Sequence, residues 1–220
     1  MERQSKGESF YVREYKNVFD SELCDTLVDT YERLWREQSD YLKKLSLCYS
    51  PSGVKTCGAC DCQRLDIMQH EEFRNPFKSV IKSIHLTLHQ YKKDVNMHRT
   101  QWPEKYAYEN IRIKRYLCDS NQQHDFHADV TNKDSAKRFF SIICYLNDDF
   151  DGGHTLFPMF DQKFKPEKGS AILFPCTWSY LHKGSRCTNG YAKYILGTFL
   201  NYVTGHETIR SGDRILGNPL

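Results

Sequence analysis

The chain has 220 residues, of which 39% are apolar, 14% aromatic and 27% charged, the composition of a folded globular protein rather than a disordered one. Its 31 basic and 28 acidic side chains leave a formal charge of +3 with no long basic block, which argues against a nucleic-acid partner. No apolar run approaches the length of a membrane span. Nine cysteines follow a polar N-terminal stretch, Met1 to Ser9, without the apolar core of a secretory signal. They read as thiols or metal ligands in a cytoplasmic protein rather than as a disulfide framework.

In chain order, Asp20 or Ser21 caps a helix expected over residues 21–38, where Leu23, Leu27, Tyr31 and Leu34 recur at helical spacing. Residues 49–63 carry turn formers and little periodicity, and read as a loop. Asn75-Pro76 signals a second helix running to about Lys93, with Phe77, Val80, Ile81, Ile84, Leu88 and Tyr91 on one face. Short strand-like runs follow at 110–117, 126–130, 138–146, 154–157, 170–174 and 191–202. Helices first and many strands afterwards predict a mainly β, α+β fold, a sandwich or barrel with a helical flank.

The candidate chemistry starts at His127-Ala128-Asp129. On an extended strand these two side chains leave the same face and can grip one ion. His182, 53 residues beyond Asp129, supplies a third donor, and Lys193 on a later strand-like run supplies a cation. Two imidazoles and a carboxylate are the facial set that holds non-haem Fe(II) with open positions. His124 falls outside that set, because a straight strand turns it away from His127. His85 and His89 form an i, i+4 pair that reads as a solvated helix face.

The stretch from Ile111 to Tyr202 resembles the 2-oxoglutarate and Fe(II)-dependent oxygenases of the prolyl 4-hydroxylase type. The matching pieces are, in order, Ile113 to Tyr116, His127-Ala128-Asp129, Cys144 to Asn147, Asp151 to Phe157, Pro166 to Pro175, His182-Lys183-Gly184, and Gly190 to Leu196. The resemblance implies a double-stranded β-helix, or jelly roll, as one domain: helical support and substrate loop over 1–105, catalytic core over 106–204 and a tail over 205–220. It further implies Fe(II) on His127, Asp129 and His182, with 2-oxoglutarate and O2 as co-substrates and ascorbate as a candidate auxiliary reductant. Lys193 would pair with the far carboxylate of 2-oxoglutarate, Tyr145 would hydrogen-bond it, and Tyr116 and Thr155 would line the same pocket. A buried dianion needs such a cation.

One departure concerns Lys193, which stands eleven positions after His182 where relatives use nine or ten. A turn or bulge at Gly190-Tyr191-Ala192 would absorb the extra residue, and Arg186 is the alternative cation. By the same resemblance Cys57, Cys60, Cys62 and Arg64 belong to a substrate-covering loop. Zinc on Cys48, Cys57, Cys60 and Cys62 is the lesser alternative to reduced thiols, because that spacing matches no common structural zinc site.

The expected activity is hydroxylation of an unactivated carbon, foremost a prolyl residue in a peptide or protein. A lysyl residue, a free amino acid or another small molecule, and a nucleobase are the alternatives. A non-catalytic jelly-roll binding module is the alternative of another class.

Overall fold

The computed structural model describes residues 9–37, 62–203 and 216–217. Among these residues fourteen strands carry most of the order. They are β1 (Arg13–Tyr15), β2 (Gln63–Asp66), β3 (Tyr106–Tyr108), β4 (Arg112–Leu117), β5 (His124–His127), β6 (Arg138–Tyr145), β7 (Asp151–Gly152), β8 (Thr155–Phe157), β9 (Gln162–Phe164), β10 (Ala171–Pro175), β11 (His182–Gly184), β12 (Cys187–Thr188), β13 (Ala192–Tyr202) and β14 (Leu216–Gly217). Among the described residues, two α-helices precede the core strands, α1 (Ser21–Glu37) and α2 (Arg74–Asp94).

The strands form two facing antiparallel sheets and a small ribbon, in agreement with the expected mainly β jelly roll. The major sheet runs β1-β10-β6-β13, after which β13 pairs with β4 over its first half and with β3 over its second. β2 adds to β4, and β14 to β3. The minor sheet has the order β5-β11-β8-β9, and β7 pairs with β12.

Strand alternation explains how one sheet serves two cores. Along β6, Phe140, Ile142 and Cys144 face the helices, where Leu27, Tyr31, Leu34, Val80, Ile84 and Leu88 complete a buried cluster. Tyr145, one residue on, faces the space between the sheets with Tyr116, Phe157, Ile172, Phe174 and Ile195. The helices therefore brace the outer face of the major sheet and leave its inner face to the site.

Both helices follow from their sequence, with one adjustment. Asp20 caps α1 by accepting a hydrogen bond from the Leu23 amide at 2.7 Å. α2 begins at Arg74 rather than at Pro76, because a 3-10 turn over Glu71–Phe73 feeds straight into it without a side-chain cap. Pro76 then lies in the first turn, where its missing N–H costs nothing. Arg115 fastens α1 to the sheet. Its guanidinium is 2.6 Å from Glu32 and lies over the Trp35 ring at 4.8 Å, and the Tyr194 hydroxyl donates to the same Glu32 carboxylate.

Candidate active site

The cavity between the sheets is lined from both. β4, β6 and β13 contribute Arg112, Lys114, Tyr116, Ser141, Ile143, Lys193, Ile195 and Gly197, and the minor-sheet side contributes His124, His127, Thr155 and His182, with Asp129 just beyond β5. His127 and His182 are directly opposed partners in the β5–β11 ladder. Asp129 departs from the strand expectation: β5 ends at His127, and a bend carries the carboxylate round to the two rings. Its Oδ1 lies 3.6 Å from His127 Nε2 and 3.8 Å from His182 Nε2.

These three residues are the one group of metal-type donors among the described residues, with ligand atoms all within 4.8 Å of one another. Three observations fit them to a divalent ion. The Nδ1 atoms of His127 and His182 are engaged by the carbonyls of Asp125 (2.7 Å) and Tyr180 (3.0 Å), which fixes both rings with Nε2 toward the shared point. Asp129 Oδ2 is buried with no hydrogen-bond partner in the structure, a costly state that a cation relieves. Burial opposes the charge on Asp129, yet His182 and His127 outweigh it and hold the carboxyl below its usual range, while burial keeps His182 neutral. An ionised carboxylate beside a neutral imidazole is the donor state a metal requires.

A residue that the sequence left unremarked sets the Asp129 backbone. Arg138 donates through Nε and Nη2 to both oxygens of Glu109 at 2.6 Å, and through Nη1 to the Asp129 carbonyl at 3.1 Å. The pair lies 29 residues apart in sequence, so only the folded sheet reveals it. His124 is a second finding. Its ring stacks on His127 at 3.5 Å, with 22° between the planes, because β5 curls enough to bring residues three apart together.

In the same cavity Lys193 is 4% exposed. Its Nζ donates to the Gly153 carbonyl at 2.5 Å and lies 5.4 Å from the centre of the Tyr145 ring and 5.8 Å from that of Tyr116. Burial pushes this ammonium down to about 8. Arg186, the alternative cation, is exposed. Between His182 and Lys193, β12 pairs with β7 and the chain turns at positive-φ Asn189 ahead of β13. Thr155 and Tyr116 line the cavity, and the fully buried Tyr145 hydroxyl bonds to Thr155 Oγ1 at 2.6 Å.

The loop residues divide. Cys48, Cys57 and Cys60 lie outside the described residues, and the zinc expectation lies there with them. Cys62 is a buried thiol packed with Tyr116 and Tyr145. Gln63 and Arg64 are not loop residues but part of β2, where Arg64 is the cross-strand partner of Lys114. On α2, His85 packs against Tyr108 at 5.8 Å with its Nε2 buried, so this imidazole is not on a solvated face.

Residues 111–201 match the family model described as the 2OG-Fe(II) oxygenase superfamily. Over that segment the chain is similar to this superfamily. It is 34% identical over 98 residues to a protein of Acanthamoeba polyphaga mimivirus that carries a prolyl 4-hydroxylase name, a match spanning 37% of this chain and 40% of that relative. Among solved structures, the viral collagen prolyl hydroxylase of Paramecium bursaria Chlorella virus-1, in its 2OG complex, superposes with a TM-score of 0.62 at 20% identity, covering 88% of this chain and 97% of the other. A Trichoplax adhaerens prolyl hydroxylase, in complex with a hypoxia inducible factor oxygen degradation domain peptide fragment, gives 0.64 at 17% identity, covering 90% and 84%. At these identities the structural likeness concerns the fold. The superfamily is named for Fe(II) and 2-oxoglutarate, and the donor set and the buried lysine that line this one cavity fit the two. Among the described residues no helix is long and apolar enough to cross a membrane.

Proposed function

We propose that this oxygenase hydroxylates an unactivated carbon, foremost in a prolyl residue of a peptide or protein, using Fe(II), 2-oxoglutarate and O2. The observation that carries the reading is the pairing, in one cavity, of the His127, Asp129 and His182 donors with the buried Lys193 ammonium. His127 and His182 would hold the ion through Nε2 and Asp129 through a carboxylate oxygen. Bound iron with 2-oxoglutarate supplies the oxidation: O2 is consumed, 2-oxoglutarate becomes succinate and carbon dioxide, and a substrate C–H becomes C–OH.

The chain's own residues bind, orient and exclude water. Lys193 would take the distal carboxylate of 2-oxoglutarate, since a buried ammonium bonded only to a carbonyl is short of a counter-charge. Tyr145, Thr155 and Tyr116 would close that end, with the Tyr145–Thr155 hydroxyl pair offering its second donor to the same carboxylate. His124, stacked on His127, would restrict movement of that ring. The prolyl assignment follows the names of the relatives in sequence and fold. A cytoplasmic location is the reading that nine cysteines taken as thiols support.

The test is incubation of the purified chain with Fe(II), 2-oxoglutarate, O2 and a proline-containing peptide library. We expect succinate release and peptides heavier by one oxygen at proline. Release of succinate with the oxygen placed on another residue would remove the prolyl assignment. No succinate with any peptide, amino acid or nucleotide, together with no iron binding, would favour the non-catalytic module.

A further inference from the structure

β4 sends three side chains into the oxygenase cavity at every second position: Tyr116, Lys114 and Arg112. Their partners on β13 are Lys193, Ile195 and Gly197. Tyr116 therefore marks the co-substrate end, and each two-residue step leads about 7 Å toward the opposite end of the strand. Gly197 keeps the place opposite Arg112 empty. A Cβ there would meet only the Ile142 carbonyl oxygen, at 3.9 Å, so the wall beside the two cations is bare.

The charges along this face do not balance. An ion with two positive charges, Lys193, Asp129 and doubly charged 2-oxoglutarate cancel one another. Lys114 stands outside that set. Its charge is felt at Asp129, His182 and Lys193, and among the described residues it has neither a hydrogen bond nor an ion pair within 4.0 Å. Arg112 has a distant partner at best, because Glu109 stands 3.6 Å away and is already held by two 2.6 Å bonds from Arg138. On β2, Arg64 stands opposite Lys114 and adds a third cation, and Asp66 stands opposite Arg112 and accepts from the Met68 amide. The positive excess is thus concentrated at Lys114, in the same cavity as the metal donors.

We propose that Lys114, with Arg112 beyond it, binds a carboxylate that the substrate carries close to the carbon being hydroxylated, most simply the side chain of an acidic residue flanking the target in a peptide. This inference deepens the proposed function and rests on it for the reaction, though not for the charge. Lysine reaches the anion as a flexible point charge, and arginine adds a planar donor fork that suits a carboxylate.

Binding separates this inference from the reaction. The full chain is loaded with Mn(II) and 2-oxoglutarate, and fluorescent peptides are titrated in by anisotropy. The peptides carry Pro or Ala at the target position, Asp or Asn beside it, and a free or amidated C-terminus. We expect the Asp peptide to bind about tenfold more tightly than its Asn twin at low salt, as for one charge-assisted hydrogen bond. The gap should narrow at high salt, vanish in Lys114→Met and persist in Lys114→Arg, which also shows that the fold tolerates a change at this position. A preference tied to the free C-terminus instead would support the carboxylate site and place the acid at a chain end. An acid preference that holds with Ala as well as Pro would support the site while the prolyl reading falls. Equal binding of acid and amide peptides, including no binding of either, would overturn the inference. So would a preference that survives Lys114→Met, or a Lys114→Met variant that loses only 2-oxoglutarate affinity.

Discussion

Replacing Lys193 by Met should make the protein more stable and its co-substrate site nearly useless. Burial holds the Lys193 ammonium at about 8 instead of the ordinary 10.5. At about 1.4 kcal/mol for each tenfold in proton affinity, keeping it charged near pH 7 costs the folded protein ~3 kcal/mol. Methionine matches the length of the stem and removes that cost, while losing the bond to the Gly153 carbonyl, worth about 1 kcal/mol. A net gain of ~2 kcal/mol corresponds to a Tm about 4–8 °C higher for a chain of this size. In the presence of 2-oxoglutarate the order should invert. Wild type gains about 2.7 kcal/mol at a hundredfold excess over Kd, and the variant, without the cation, gains almost nothing. The check is thermal unfolding at pH 7 with a redox-inert divalent ion, with and without 2-oxoglutarate.

The sign of the pH dependence supplies a second reading of the same variant. Between about pH 8 and 10.5 the folded lysine is neutral while the unfolded one keeps its proton. The unfolded state therefore binds more protons, and wild-type stability rises with pH relative to Lys193→Met through that window. The stability gap should close there. A variant that melts lower than wild type at pH 7, or that keeps the full 2-oxoglutarate shift, would refute the assignment of Lys193 as a strained, waiting counter-ion.

Three further outcomes are expected. His127→Ala should abolish divalent-ion binding by calorimetry and any hydroxylation, and retention of either would remove His127 from the donor set. Arg138→Met, which releases the Asp129 carbonyl, should weaken metal binding by about 10- to 100-fold, as disturbed supports of metal ligands do, while 2-oxoglutarate affinity at saturating metal changes much less; competition with a chelating dye reads the first and calorimetry the second. Gly153→Ala should cost more than 1 kcal/mol in urea unfolding. The residue sits at φ +63°, and its added Cβ would approach Phe150 to 2.6 Å and the Lys193 stem to 3.1 Å. Co-substrate affinity should fall with it.

The parts of this site that could be read in the sequence are those whose meaning is local. His127 and Asp129 lie two apart, and the amphipathic stripes of α1 and α2 repeat at helical spacing. Strand boundaries at β4, β6 and β13 were close because alternation between two buried faces leaves a clear pattern. What stayed hidden depends on chain segments meeting in space. The Arg138–Glu109 pair, the stacking of His124 on His127 and the pairing of β2 with β4 have no short-range signal. The bend that carries Asp129 off the strand was hidden for the opposite reason, since H-x-D fits an extended chain equally well. Very short strands such as β7 and β12, two residues each, exist only because a neighbour pairs with them.

The opposition of His127 and His182 has a mechanical side. β5 is the outermost strand of the minor sheet, and its ladder to β11 is irregular, with a register shift between its two paired positions. An ion gripping both rings is then a cross-link over an irregular seam at the edge of the minor sheet. Stripping the ion should speed amide exchange at His124–His127 well before β13, which is bonded along both edges, is affected. On the proposed metal site, loss of the ion would act first as local fraying, and the empty site would also be one with an open strand.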